Sequence, residues 1–155
     1  MSSTASSALT DLILETFRLN GRLLAAGDAL IADIGLSSAR WQVLGAIALA
    51  PSPLPVAHIA RNMGLSRQAV QRLVNEMEAD GLVGFEANPH HQRAKLVFLT
   101  TRGKRAFDAA MKRQEPWARG VVAGLSPKQL EAAVITLRAV RQRLDRGIEG
   151  AGSDA

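Results

Sequence analysis

Gln68, Gln71, Arg72 and Asn75 are the side chains of this sequence best suited to reading the edges of bases. An arginine can bond guanine O6 and N7 together, and a glutamine or asparagine amide can do the same with adenine N6 and N7. At 100° per residue, Ala69, Val70, Leu73, Val74 and Met77 fall within one arc of about 140° and predict a buried stripe, which leaves these four on the opposite side. No carboxylate interrupts that polar side until Glu76 and Glu78 at its edge. A phosphate backbone would repel one there. Ser66 and Arg67 open the same segment, and a second polar cluster, His90, His91, Gln92, Arg93 and Lys95, follows some twenty residues on.

These groups need elements to hold them. Ser66 stands where an N-cap accepts an N–H from the first helical turn, and Gly81 stands where the helix closes. Upstream, residues from about Val56 to Met63 read as a shorter helix with Ile59, Ala60 and Met63 inward, and Gly64 fits a left-handed turn. Downstream, Leu82–Glu86 and Lys95–Leu99 are apolar-rich runs flanking the polar stretch 87–94, in which Asn88 and Pro89 supply turn chemistry, so a β-hairpin is expected. Helix, turn, helix and hairpin also carry the charge surplus. Residues 61–113 hold ten basic and five acidic side chains, the chain's whole net charge of +5, while the remainder balances. A positive field localised on a helix-turn-helix points to a polyanion, above all double-stranded DNA.

The flanks read as helix. Residues 1–7 look like a polar tail. Leu9, Leu12, Ile13, Phe17, Leu23, Leu24, Leu30 and Ile31 then recur at helical spacing, weakened by Gly21 and Gly27, as far as Gly35. Ser37 or Ser38 caps a short helix with Trp41, Leu44, Ile47 and Ala48 as its stripe, ending at the breaks of Pro51, Pro53 and Pro55. Thr100 or Thr101 caps a helix to about Ala123, interrupted or kinked near Pro116. Ser126-Pro127 starts the last helix, whose stripe is Leu130, Val134, Leu137, Val140, Leu144 and Ile148. That stripe comes after the small lobe has closed its core and requires a partner surface, which the first helix and a second copy of the chain would supply.

There are no cysteines, which removes disulfides and thiolate metal sites. No apolar run is long enough to span a bilayer and no secretory signal opens the chain, so a cytoplasmic protein without a membrane partner is expected. No metal-protease, phosphate-loop or nucleophile-elbow pattern occurs, and neither an enzyme nor a bound cofactor is expected. A metal-responsive regulator would have to use His58, His90 and His91, a poor set with only Glu86 close in sequence. The different-class alternative is a protein-interaction module with a degenerate helix-turn-helix.

Leu65-Ser66, Arg72-Leu73-Val74, Glu78-Ala79-Asp80-Gly81-Leu82-Val83, Arg93-Ala94 and Val97-Phe98-Leu99-Thr100 fall in an order and spacing that resembles the multiple-antibiotic-resistance-regulator (MarR) family of winged helix-turn-helix transcription factors. The resemblance implies a mainly α fold with a small β-hairpin wing at about 82–100, a DNA-binding lobe at 37–100, and dimerisation helices at 8–35 and 101–150. It implies a homodimer on a pseudo-palindromic operator, usually repressing, with a small aromatic or lipophilic acid as effector in many members. It gives roles to Arg72 on the recognition helix and Arg93 at the wing; with the residues read above, the expected DNA-binding set is Ser66, Arg67, Gln68, Gln71, Arg72 and Asn75 with His91, Arg93 and Lys95. Effector-pocket candidates are the apolar Phe17, Trp41, Phe107 and Met111, with Arg40 or His58 as polar handles. Two departures stand out. His91-Gln92-Arg93 replaces the acidic-basic-arginine run common in the wing, and Phe98 takes a position that is often polar.

Overall fold

The computed structural model describes residues 2–147, so Ile148 of the last stripe lies outside the described residues. Its elements are α1 (Ser2–Ile31), a 3-10 turn (Ala32–Ile34), α2 (Ser38–Ala48), β1 (Leu54–Pro55), α3 (Val56–Met63), α4 (Arg67–Ala79), β2 (Val83–Glu86), β3 (Leu96–Leu99), α5 (Thr101–Val121) and α6 (Pro127–Arg146). The chain divides into two compact units, one to Glu115 and one from Pro116. The fold is the mainly α architecture with a hairpin wing that the sequence implies.

The core of the first unit gathers Ile31, Val43, Leu44, Ile59, Val70, Val74, Met77, Val83 and Val97, each almost wholly buried. Burying side chains of this size stabilises by roughly 1.5–3 kcal/mol each. On α4 the buried stripe is Val70, Val74 and Met77, with Leu73 half-buried. Ala69 is exposed, because it lies at the rim of that arc, where the helix surface turns away from the core. On α2 the buried residues are Ser38, Val43, Leu44 and Ile47, whereas Trp41 is half-buried and Ala48 exposed. That helix is apolar nearly all round, so periodicity could not choose its inner face.

Local chemistry sets the helix ends. The Ser66 hydroxyl accepts from the Ala69 N–H at 3.2 Å, and Ser37 does the same for Arg40 at 3.2 Å. Gly64 at φ 65° and Gly81 at φ 75° adopt the left-handed conformation that turns the chain out of α3 and α4. The 2–7 segment differs from expectation: α1 begins at Ser2, since extending a formed helix costs little where neither glycine nor proline intervenes. Gly27 has a packing role rather than a weakening one. A Cβ there would meet the Ser38 Oγ at 2.5 Å, and that hydroxyl donates to the Leu24 carbonyl at 2.7 Å while the Ser38 N–H donates to Asp28 at 2.6 Å. The end of α1 is thereby locked to the start of α2.

The wing is a three-stranded antiparallel sheet of order β1-β3-β2. β1 was not expected; Leu54 pairs with Val97 and Pro55 with Leu96 inside the stretch read as a proline break. Each hairpin strand is one residue shorter than its apolar run, and Gly84 faces Phe98 across the ladder. The absent side chain at Gly84 leaves the space that the Phe98 ring fills, since a Cβ there would come within 2.5 Å of it. This covering of a strand glycine by a cross-strand aromatic accounts for a phenylalanine at that position. Phe98→Ala is expected to destabilise by about 1 kcal/mol, read from urea unfolding; an unchanged midpoint would show that the ring contributes nothing.

α5 is anchored at its N-terminus by Thr100. Its hydroxyl accepts from the Gly103 N–H at 3.0 Å and donates to the Gly81 carbonyl at 2.6 Å. Gly103 lies so close to the strand that an added Cβ would be 1.9 Å from the Leu82 carbonyl oxygen. Further along, Arg113 pairs with Asp33 of the 3-10 turn, and that hydrogen bond holds the Asp33 carboxyl below its ordinary value. Its stabilising contribution is therefore present above the ordinary aspartate range and lost as pH falls through the lowered value. The helix is not interrupted at Pro116 and runs to Val121, although the proline lacks the N–H for one i→i−4 bond and the two compact units divide there. In the second unit, α6 begins as expected at Ser126-Pro127, with the Ser126 N–H donating to Gln129 Oε1 at 3.3 Å.

Candidate nucleic-acid interface

Packing one face of α4 into the core leaves its other face outside. Ser66, Arg67, Gln68, Arg72 and Asn75 are exposed and Gln71 is half-buried. The Ser66 hydroxyl is already engaged as the helix cap, so it offers its second lone pair and its proton, not a free side chain. Opposite α4 stands the wing, whose tip is shaped by Asn88: its side chain accepts from the His90 N–H at 3.0 Å and its carbonyl from the His91 N–H at 3.2 Å. His91, Arg93 and Lys95 are exposed on that wing.

Between them lies a cleft of about 680 Å³. Arg67, Gln71 and Asn75 of α4 line one side, His91, Arg93 and Lys95 the other, and His58 and Arg61 of α3 the end, over a floor that includes Val56 and Phe85. Four cations and two imidazoles converge there without a single carboxylate. Among the described residues none of those four cations is in an ion pair, so their positive potential is not spent on internal partners. Arg72 and Gln68 lie outside the cleft, farther round the exposed side of α4. The arrangement is a positively charged concavity bordered by an exposed helix, suited to a polyanion whose groove α4 can enter and whose phosphate ridge the concavity can take.

Sequence reasoning did not place His58, Arg61 and Asn88 in this interface. Arg61 carries the right charge, but its position depends on α3 packing beside the wing, which no local pattern reports. At the other end of α4, Arg40 of α2 bonds Asp80 at 2.6 Å, with the aspartate half-exposed. An exposed pair adds little stability, yet it fixes the C-terminal end of α4 against α2. The Arg40 guanidinium, considered above as an effector handle, is thus engaged by Asp80.

His58 opens onto the charged cleft. Phe107 packs toward Gly45 and lines a different cavity of about 430 Å³ with Ile47, Phe98 and Lys104. Trp41 is half-buried against the core, Met111 is exposed, and Phe17 is 70% exposed on α1. Of the three histidines, His58 and His91 share the cleft; among the described residues no three His, Asp or Glu side chains cluster as a metal site would require. No helix among them is long and apolar enough to cross a membrane.

Comparison with known proteins agrees with this geometry. The sequence pattern of the MarR family matches residues 34–94, from the end of the 3-10 turn to the wing. The chain is 32% identical over 133 residues to the uncharacterised protein Rv2011c of Mycobacterium tuberculosis, covering 86% of this chain and 92% of that one. Among solved structures, it is similar to a MarR-family transcriptional regulator from Rhodococcus sp. RHA1, with TM-score 0.74 and 25% identity over 85% of this chain and 93% of that one. It is also similar to CouR from Rhodococcus jostii RHA1, solved with p-coumaroyl-CoA, with TM-score 0.72 and 26% identity over 80% and 87% of the two chains.

Proposed function

This chain belongs to the MarR family of DNA-binding transcriptional regulators, and from that premise we propose that it represses transcription as a homodimer on a pseudo-palindromic operator, released by a small aromatic or lipophilic acid. The observation that carries this reading is the carboxylate-free cleft beside the exposed face of α4. On this reading Arg67, Gln71 and Asn75 on the cleft side of α4, and Gln68 and Arg72 farther round its exposed face, enter a major groove, with Ser66 at the helix start. His91, Arg93 and Lys95 follow the adjacent phosphates or the minor groove.

Dimerisation is supported by apolar surface that the first unit and α6 each leave uncovered. α1 exposes Leu9, Ile13, Leu14, Phe17, Leu19 and Leu23, and α6 exposes Leu130, Val134, Ile135 and Leu144. Surfaces of this kind mark interfaces. A two-fold pair places two copies of α4 in successive major grooves about 34 Å apart.

Arg72→Ala tests the reading of bases. Binding to the operator is expected to fall by roughly 1–3 kcal/mol, with relaxed preference at one base pair per half-site and little loss on random DNA. Equal losses on both would remove Arg72 from base recognition. For the effector, CouR with its aromatic thioester supplies the precedent. A panel of aromatic acids and their thioesters is expected to contain a compound that releases operator in a fluorescence-anisotropy titration; no release by any of them contradicts an aromatic ligand. Such a compound must favour a spacing of the two α4 helices that does not fit DNA.

A further inference from the structure

The Gln71 side-chain amide donates through Nε2 to Asn75 Oδ1 at 2.9 Å, one helical turn along α4, and both residues line the charged cleft. This bond changes what each amide can offer. One N–H of Gln71 is committed to Asn75, which leaves Gln71 with a free Oε1 and one further N–H side by side, an acceptor next to a donor. In the major groove adenine presents the complement, N7 as acceptor and N6–H as donor. Guanine presents two acceptors there, so its O6 would face the Gln71 Oε1. Cytosine offers only a donor and thymine only an acceptor beside its methyl group. Turning the Gln71 amide over to suit another base would set its Oε1 against Asn75 Oδ1, so both amides must turn together.

Resting on the operator-binding reading above, we infer that Gln71 and Asn75 act as one unit that selects adenine at a single base pair of each half-site, Gln71 making the base contact and Asn75 holding its amide plane. Asn75 is a positioning residue in this pair. Its other hydrogen-bonding capacity stays free for a phosphate or a water.

The test is selection of bound sequences from random duplex DNA by the full-length protein and by four variants, with affinities then measured on the sites recovered. Wild type is expected to enrich an inverted repeat with adenine at one conserved pair per half. Gln71→Ala should lower the preference for adenine at that pair about tenfold or more. Asn75→Ala should erode preference at the same pair, and the double variant should be no worse there than Gln71→Ala alone. Asn75→Asp keeps the acceptor and so keeps the adenine preference, while its negative charge weakens binding to every sequence alike. Alanine favours helix at both positions, which keeps α4 folded. If Asn75→Ala alters a different base pair, or leaves the pattern intact, the coupled unit is wrong although operator binding stands. If wild type enriches no sequence, both fall.

Discussion

Gly103→Ala is expected to cost about 3 kcal/mol or more, a change that ordinarily strengthens a helix by about 1 kcal/mol. The reversal comes from Leu82. A Cβ on residue 103 would lie 1.9 Å from the Leu82 carbonyl oxygen and 2.9 Å from its carbon, and both are backbone atoms that no rotamer change can move. The start of α5 would have to retreat by an ångström or more. That retreat breaks the hydrogen bonds by which Thr100 holds the helix to the strand, its N–H to the Leu82 carbonyl at 3.2 Å and its hydroxyl to Gly81. Total stabilities of 5–15 kcal/mol leave little room for such a loss. Gly120→Ala on the same helix is the control: nothing lies within 4 Å of its added Cβ, so it should be neutral or slightly stabilising. Urea midpoints at fixed protein concentration compare the two. Equal midpoints would mean that α5 does not pack on Leu82 as described.

Salt should act as strongly on binding as Gly103 does on folding. Six or more neutralised phosphates per dimer follow if Arg61, Arg67 and Arg93 each meet one in both subunits, and the logarithm of affinity then falls with the logarithm of salt with a slope near −5. Between about 50 and 200 mM salt this is on the order of a thousandfold. Arg93→Ala should reduce the steepness by about two counterions per dimer and weaken specific and random DNA to a similar extent. Because Arg93 has no acidic partner among the described residues, its loss leaves no carboxylate uncompensated, and the slope reports the phosphate contact alone. An unchanged slope would take the wing off the DNA.

What the sequence disclosed was local. Ser66, Gly64 and Gly81 announce the bounds of α3 and α4 because caps and left-handed turns depend on a few adjacent residues. Asn88-Pro89 announces the wing for the same reason. The polar face of α4 was legible because Val70, Val74 and Met77 are spaced to fix the opposite face. Contacts across long separations were not legible. β1 is two residues long and exists only because β3 offers an edge to Leu54 and Pro55. The reasons for Gly84 and for Phe98 each lie in the other, and neither is visible until the strand register is known. The bond from Arg40 to Asp80 spans forty positions, and the approach of His58 and Arg61 to the wing depends on how α3 docks. The chain therefore advertised the residues on the exposed face of α4 more clearly than those that complete the cleft beside them.

Hydroxyl-radical footprinting of duplex DNA at low salt tests the central claim most directly, because it records where each subunit lies on the helix. Two protected half-sites centred about ten base pairs apart on one face of the duplex, with two chains bound per site, is the result the account predicts. Protection of a single half-site, or none on any fragment at low salt, would contradict it.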